Sequence, residues 1–434
     1  MMYIDNILFA IILIIGIGFF AKNVKKLKRN INLGHDVNRK DNPSARWKNM
    51  AMIALGQSKM VKRPIAGLLH IIVYAGFLII NIEVLEIIID GLFGTHRVFS
   101  FLGDFYGVLI GSFEILAVLV LVAVIVFWIR RNIIQLKRFT SSDLIGAPKR
   151  DADAILYFEI VLMSLFLIMN ATDLHFQEMK SGNIISQYIH PWFSSLDIAQ
   201  IEAVEAAAWW FHIIGILVFL NYLYYSKHLH ILLAFPNTYF ADLNAKGKFD
   251  NLESVTKEVK LMMDPNADPF AAQPIDENAV PSKFGASDVQ DLNWVQLLNA
   301  YTCTECGRCT SACPANQTGK KLSPRKIMMD TRDRMEEVGR NIDANKGVFV
   351  PDNKSLLNDY ITAEELWACT SCNACVEECP VNISPLSIIM DMRRYLVMEQ
   401  SAAPQSLNAM MTNIENNGAP WQYNQQDRLN WKNE

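Results

Sequence analysis

Two runs of four cysteines stand 66 positions apart and share one spacing: Cys303-x2-Cys306-x2-Cys309-x3-Cys313-Pro314 and Cys369-x2-Cys372-x2-Cys375-x3-Cys379-Pro380. They use all 8 cysteines of the 434-residue chain, which points to ligands rather than packing. Three cysteines spaced by two wrap a loop around one [4Fe–4S] cube. The fourth, closed by proline, serves the other cube in two-cluster proteins. The spacing thus assigns Cys303, Cys306, Cys309 and Cys379 to one cube, and Cys369, Cys372, Cys375 and Cys313 to the other. Structural zinc favours paired C-x2-C knuckles instead. Disulfides need an oxidising compartment, and the topology read below places this segment in the cytoplasm. Two such clusters make a wire for single electrons.

Histidines offer a second chemistry. His70 falls just inside an apolar stretch that begins at Pro64, and His212 and His230 are 18 residues apart near the end of another. On a continuous helix that separation is five turns, so both would share one face, ~27 Å apart along the axis. Histidines in membrane helices are rare and usually functional, and imidazole is an axial ligand of haem iron. His70 and His230, at similar depth on different helices, are expected to clamp a b-type haem. His228, two residues from His230, is expected to face elsewhere on the helix but is kept as a further cofactor-binding candidate; the alternative reads His228 and His230 together as interfacial residues. His212 is read near the outer end of its helix. It is expected to hold a second haem, with His175 the nearest partner by depth, or to meet a quinone headgroup.

The elements that position these groups divide the chain. Overall it is 51% hydrophobic and 19% charged with net charge −4, but the apolar residues are concentrated early. Runs at 6–21, 65–90, 105–129, 155–172 and 206–225 (the last continued as helix to 233) each approach or exceed the ~20 residues that cross a bilayer. The first lacks a basic leader, carries Asp5, and reads as an uncleaved anchor. Residues 22–63 hold twelve Lys and Arg and residues 130–150 hold six, whereas 91–104 has only Arg97 and 173–205 only Lys180. This alternation places the N-terminus outside and everything after the fifth helix inside. It also argues against a nucleic-acid patch.

Residues 1–240 therefore read as a membrane domain and 241–286 as a linker rich in proline, with an amphipathic helix expected over 242–263. Residues 287–400 read as a compact helical domain around the cysteines. Helical spacing falls over 291–300, 323–338, 363–368 and 384–398, with no strand pairing. The tail, 401–434, is too polar to build its own core. The fold class is all-α: a five-helix transmembrane bundle followed by a helical dicluster domain.

The five helices, the His212–His230 spacing and the run Ser226-Lys-His-Leu-His230-Ile-Leu-Leu-Ala-Phe-Pro236 resemble the cytochrome b subunit of respiratory nitrate reductase, over roughly residues 1–235. That family carries two histidines on helix two, where only His70 matches here. The motifs Cys303-Thr-Glu-Cys-Gly-Arg308-Cys, Leu322-Ser-Pro-Arg325 and Glu364-Glu-Leu-Trp367-Ala-Cys-Thr-Ser-Cys resemble heterodisulfide-reductase-like iron–sulfur proteins. As a whole the chain is similar to membrane iron–sulfur oxidoreductases that link electron-transfer flavoprotein to menaquinone. The resemblance implies a bacterial inner-membrane subunit with two [4Fe–4S] clusters and one or two b haems. Its partners would be a separate CCG-type iron–sulfur subunit and electron-transfer flavoprotein. The tail, with Trp421 and Trp431, is expected to order against such a partner. A membrane-anchored ferredoxin for metal reduction or oxidase assembly is the alternative, and a redox sensor a third. No nucleophile triad, phosphate-cradling loop or dinucleotide fingerprint is present.

Overall fold

The computed structural model describes residues 2–265 and 283–433. Five of its helices are long and apolar enough to cross a membrane. They are α1 (Met2–Ile31), α2 (Pro64–Phe93), α3 (Asp104–Asn132), α4 (Ala147–Thr172) and α5 (Ile198–Tyr222). Each packs on its sequence neighbour, and α1 also packs on α5, so the five close into a ring. Large apolar residues such as Ile14 (70% exposed) and Val108 (68% exposed) line the outside. On a water-soluble protein such a belt would be an aggregation hazard; around a bundle it is the lipid-facing surface.

Two local signals set the last span. Asp197 and Gln200 form a reciprocal cap that starts α5 at Ile198, eight residues before the apolar run suggests. The helix then stops at Tyr222 rather than running on to 233. The Asp151 carboxylate accepts from Tyr222 Oη at 2.7 Å and from the Lys227 amide at 3.2 Å, and Ser226 between them is extended. A new helix, α6 (His230–Tyr239), begins beyond this break.

After α6 comes α7 (Glu253–Met263), shorter than the expected 242–263. Residues 266–282 of the expected linker, including Pro269, Pro274 and Pro281, lie outside the described residues. The remaining helices are α8 (Trp294–Thr302), α9 (Arg308–Ala312), α10 (Pro324–Ala344), α11 (Ala363–Trp367), α12 (Ala374–Glu378) and α13 (Pro385–Met398). Of these, α8, α10, α11 and α13 fall on the four stretches of helical spacing, and no strand occurs among the described residues. The tail forms α14 (Gln405–Asn417), which buries no residue, while Trp421 and Trp431 remain 48% and 72% exposed.

The cysteine-bearing domain sits on one end of the bundle, against the basic segments. Lys26 and Arg29 pair with Asp343, Lys62 with Glu377, and Arg63 with Glu378. Asp143 receives a bidentate contact from Arg325, which is 1% exposed. The segments 22–63 and 130–150 therefore lie on the same side as this domain.

Candidate functional site

The two cysteine runs fold as repeats of one loop. Glu305 and Gly307 in the first, and Ser371 and Asn373 in the second, all adopt positive φ (54°, 72°, 58° and 60°). These bends turn three sulfurs towards one centre before a short helix, α9 or α12, carries the chain to the fourth cysteine. Gly307 is required: a Cβ there would come within 2.7 Å of Arg325 Nη1 and 3.1 Å of the Arg138 carbonyl. Helices α9 and α12 pack against each other and exchange the ends of the two runs.

Cys303, Cys306, Cys309 and Cys379 line one pocket, together with Cys375. Cys375 also has Cys369, Cys313 and Cys372 as neighbours. All eight thiols are free of disulfides. The fourth cysteine of the second run thus lies beside the first three of the first run, and Cys313 lies near Cys369 and Cys375. Burial, reinforced by the neighbouring cysteines, pushes the Cys303 and Cys375 thiols up to about 12. Such sulfurs become anionic only where positive charge compensates them, as iron does. Cations of the chain help. Arg308 and Arg138 face Cys306, Lys59 faces Cys379, and Arg393 faces Cys369. Backbone amides of Ser371 and Ile383 point at the sulfurs of Cys369 and Cys379, at 3.4 and 3.3 Å. Among the described cysteines only Cys372 is exposed.

The histidines are only partly as expected. His70 on α2 and His230 at the start of α6 face each other, ring centroids 6.4 Å apart and planes tilted by 38°. Two imidazoles bound through one nitrogen each to opposite sides of a metal would be ~6 Å apart centre to centre, from ~2 Å metal–nitrogen bonds. His230 Nδ1 lies 3.1 Å from the Lys227 carbonyl, the kind of contact that fixes a ligating histidine's ring. His70 Nδ1 is buried with no partner. These features fit an axial pair.

Three expectations need correction. His228 does not face elsewhere: its ring lies 5.3 Å from that of His230, because the break at Ser226 removes the helical register on which the expectation rested. The same break means that His212 and His230 do not share a helix. His212 is not near the outer end either. With α5 beginning at Ile198 it lies ~21 Å into the helix, buried, with Nδ1 3.1 Å from the Leu162 carbonyl. His175 is exposed and stacks edge-on against His96 at 5.5 Å; no ring contact joins it to His212 among the described residues. His96, Asp173 and Glu205 come close enough to share a cation, but Arg97 already pairs with Asp173 at 2.7 Å.

Sequence reasoning passed over the residues that join the two groups. Arg308, inside the first cysteine loop, donates to the Lys59 and Met60 carbonyls at 3.0 and 3.2 Å, just before α2. Glu305, in the same loop, pairs with Lys227, three residues from His230. A charged residue inside each half of such a contact is the only trace they leave in sequence.

The fold and site define a multi-pass membrane electron-transfer protein with an iron–sulfur domain. Residues 302–383 match the 4Fe-4S dicluster domain. The whole chain is similar to the probable iron-sulfur-binding oxidoreductase FadF of Bacillus subtilis, 30% identical over 465 aligned positions that cover 99% of this chain and 61% of that protein. It is also similar to the EtfAB:quinone oxidoreductase of Syntrophomonas wolfei, at 24% identity over 94% of this chain and 57% of that one. A probable membrane-anchored ferredoxin of Chromohalobacter salexigens is 33% identical over 36% of this chain and 25% of its own. The chain thus spans about three fifths of the length of the first two relatives. These are the iron–sulfur oxidoreductases that the motifs resemble. No solved structure matches the chain significantly.

Proposed function

We propose that this chain is the membrane subunit of a quinone-linked oxidoreductase. The group with the exposed Cys372 would hold the carrier nearest the surface, Cys303, Cys306, Cys309 and Cys379 would hold the next, and the His70–His230 pair would hold the one nearest the bilayer. Two [4Fe–4S] clusters and a b haem, when bound, supply one-electron carriers at these places. The chain's own residues hold them in order: the cysteines as ligands, His70 and His230 as axial ligands, and Arg308 and Lys227 as the bracing between them. His228 and His212 lie near this route as further candidates.

The observation that carries this reading is the bracing of the first cysteine loop against the segments that lead into His70 and His230, through Arg308 on the Lys59 and Met60 carbonyls and the Lys227–Glu305 ion pair. By resemblance, the donor is a CCG-type iron–sulfur subunit fed by electron-transfer flavoprotein, and the acceptor is menaquinone. The excess of lysine and arginine on the iron–sulfur side supports reading that side as cytoplasmic, with the N-terminus outside, and the resemblance implies a bacterial inner membrane. A membrane-anchored ferredoxin would need the clusters but not the facing histidines.

The test is reconstitution. Alone, with reduced flavoprotein, the chain should not reduce a menaquinone analogue; adding the CCG-type subunit should start turnover, with a reduced-minus-oxidised b-haem band. A chain that carries both clusters but no haem band, and never passes electrons to the analogue, would overturn the proposal.

A further inference from the structure

Glu83, Glu86 and Asp90 lie at i, i+3 and i+7 on one face of α2. The face runs from inside the bundle to the end opposite the iron–sulfur domain, with Glu83 ~15 Å short of Phe93. Glu83 and Glu86 are each only 3% exposed. Glu86 is fully engaged, accepting from Tyr106 Oη at 3.0 Å and from the Phe99 amide at 2.8 Å. Asp90, at the mouth, accepts from the amides of Arg97 and Val98 at 2.7 and 3.1 Å.

Glu83 differs, because its Oε2 is buried and has no hydrogen-bond partner. The charged groups facing it are Arg97, Glu86 and Glu114. Arg97 is committed to Asp173, Asn170 and Tyr106, and Glu114 accepts from the amides of Ile185 and Ser186. An unpaired carboxylate at this depth is costly, whereas a carboxyl that takes and yields a proton to a like group one turn away is what proton relays in membranes use.

We propose that Glu83, Glu86 and Asp90 form a proton path from the face opposite the iron–sulfur domain into the bundle. The inference rests on the quinone reading above. Reduction of a quinone to its quinol takes two electrons from the iron–sulfur side and two protons along this path, and oxidation reverses both.

The experiment uses the full chain with its redox partner in vesicles, the iron–sulfur domain outward and a pH dye enclosed. With reduced flavoprotein and a menaquinone analogue outside, the wild type should make the lumen more alkaline as quinol forms. Glu83→Gln should keep the paramagnetic spectra of reduced clusters, which shows that it folds, while lumen alkalinisation falls about a hundredfold; Glu83→Asp should retain part. Wild-type alkalinisation in Glu83→Gln, or quinol formation by the wild type with no change in lumen pH, would overturn the path. If the wild type forms no quinol, the functional reading fails, and infrared titration still decides the path. The protonated carboxyl band lost in Glu83→Gln must follow lumen pH, and a band indifferent to it rejects the path.

Discussion

Lys227 and Glu305 form a buried ion pair across the seam between the membrane bundle and the iron–sulfur domain. Glu305 is held a second time by Arg332, at 2.8 Å. These two cations keep its carboxyl below the ordinary range although burial pushes the other way. The asymmetry makes a prediction. Glu305→Gln leaves the buried Lys227 with only the longer Asp151 contact and the Pro148 carbonyl, and Arg332 with Asp333. It should cost about 3 kcal/mol, whereas Lys227→Met leaves Glu305 paired with Arg332 and should cost less. Thermal unfolding of the two variants in detergent checks the order; equal losses would show that Lys227 alone supports the contact.

The crossed grouping of the cysteines is tested by Cys313→Ser. The paramagnetic signal of the cluster otherwise held by Cys369, Cys372 and Cys375 should change or vanish while the other persists. Loss of the opposite signal would mean that each run serves its own cluster.

Among the histidines, His70→Ala and His230→Ala should each abolish the b-haem band with both clusters intact. His228→Ala should keep it, since His228 touches His230 edge-on and does not oppose His70. A haem band retained in both of the first two variants rejects the pair.

These contacts show where sequence reading reaches its limit. The cysteine runs were legible because a thiolate cluster imposes its geometry on a short loop, and the five apolar runs carried the bundle because a bilayer fixes their length. The histidines were harder. Their expected geometry assumed an unbroken helix, and the break comes from a tertiary contact, Asp151 with Tyr222 and Lys227. Nothing within residues 206–233 announces an acceptor supplied by α4. The early start of α5 was legible in principle, since Asp197 and Gln200 form a capping pair, but alanines and glutamates dilute the apolar run there.

Acid should loosen the docking of the two parts. Burial raises the Asp143 carboxyl, but the Arg325 contact outweighs it and holds the group below its ordinary 3.8. A folded-state value below the unfolded one adds stability above that ordinary value, and the contribution is lost as pH falls through the folded one. Wild-type unfolding temperature should therefore drop below about pH 4, and Asp143→Asn should be less stable at neutral pH with a flatter acid limb. Parallel limbs in the two proteins would show that the contact contributes nothing.

The exchange of chain ends between the two cysteine loops also bears on how such a protein is made. Each pocket draws three sulfurs from one run and the fourth from the other, so neither can be completed from one half of the domain. The ribosome must release Cys379 before the first pocket has its last ligand, and by then all five membrane helices have been synthesised. On the crossed grouping, a nascent chain that stalls between residues 313 and 375 lacks a full ligand set for either centre, and so has no finished centre with which to leak electrons to oxygen.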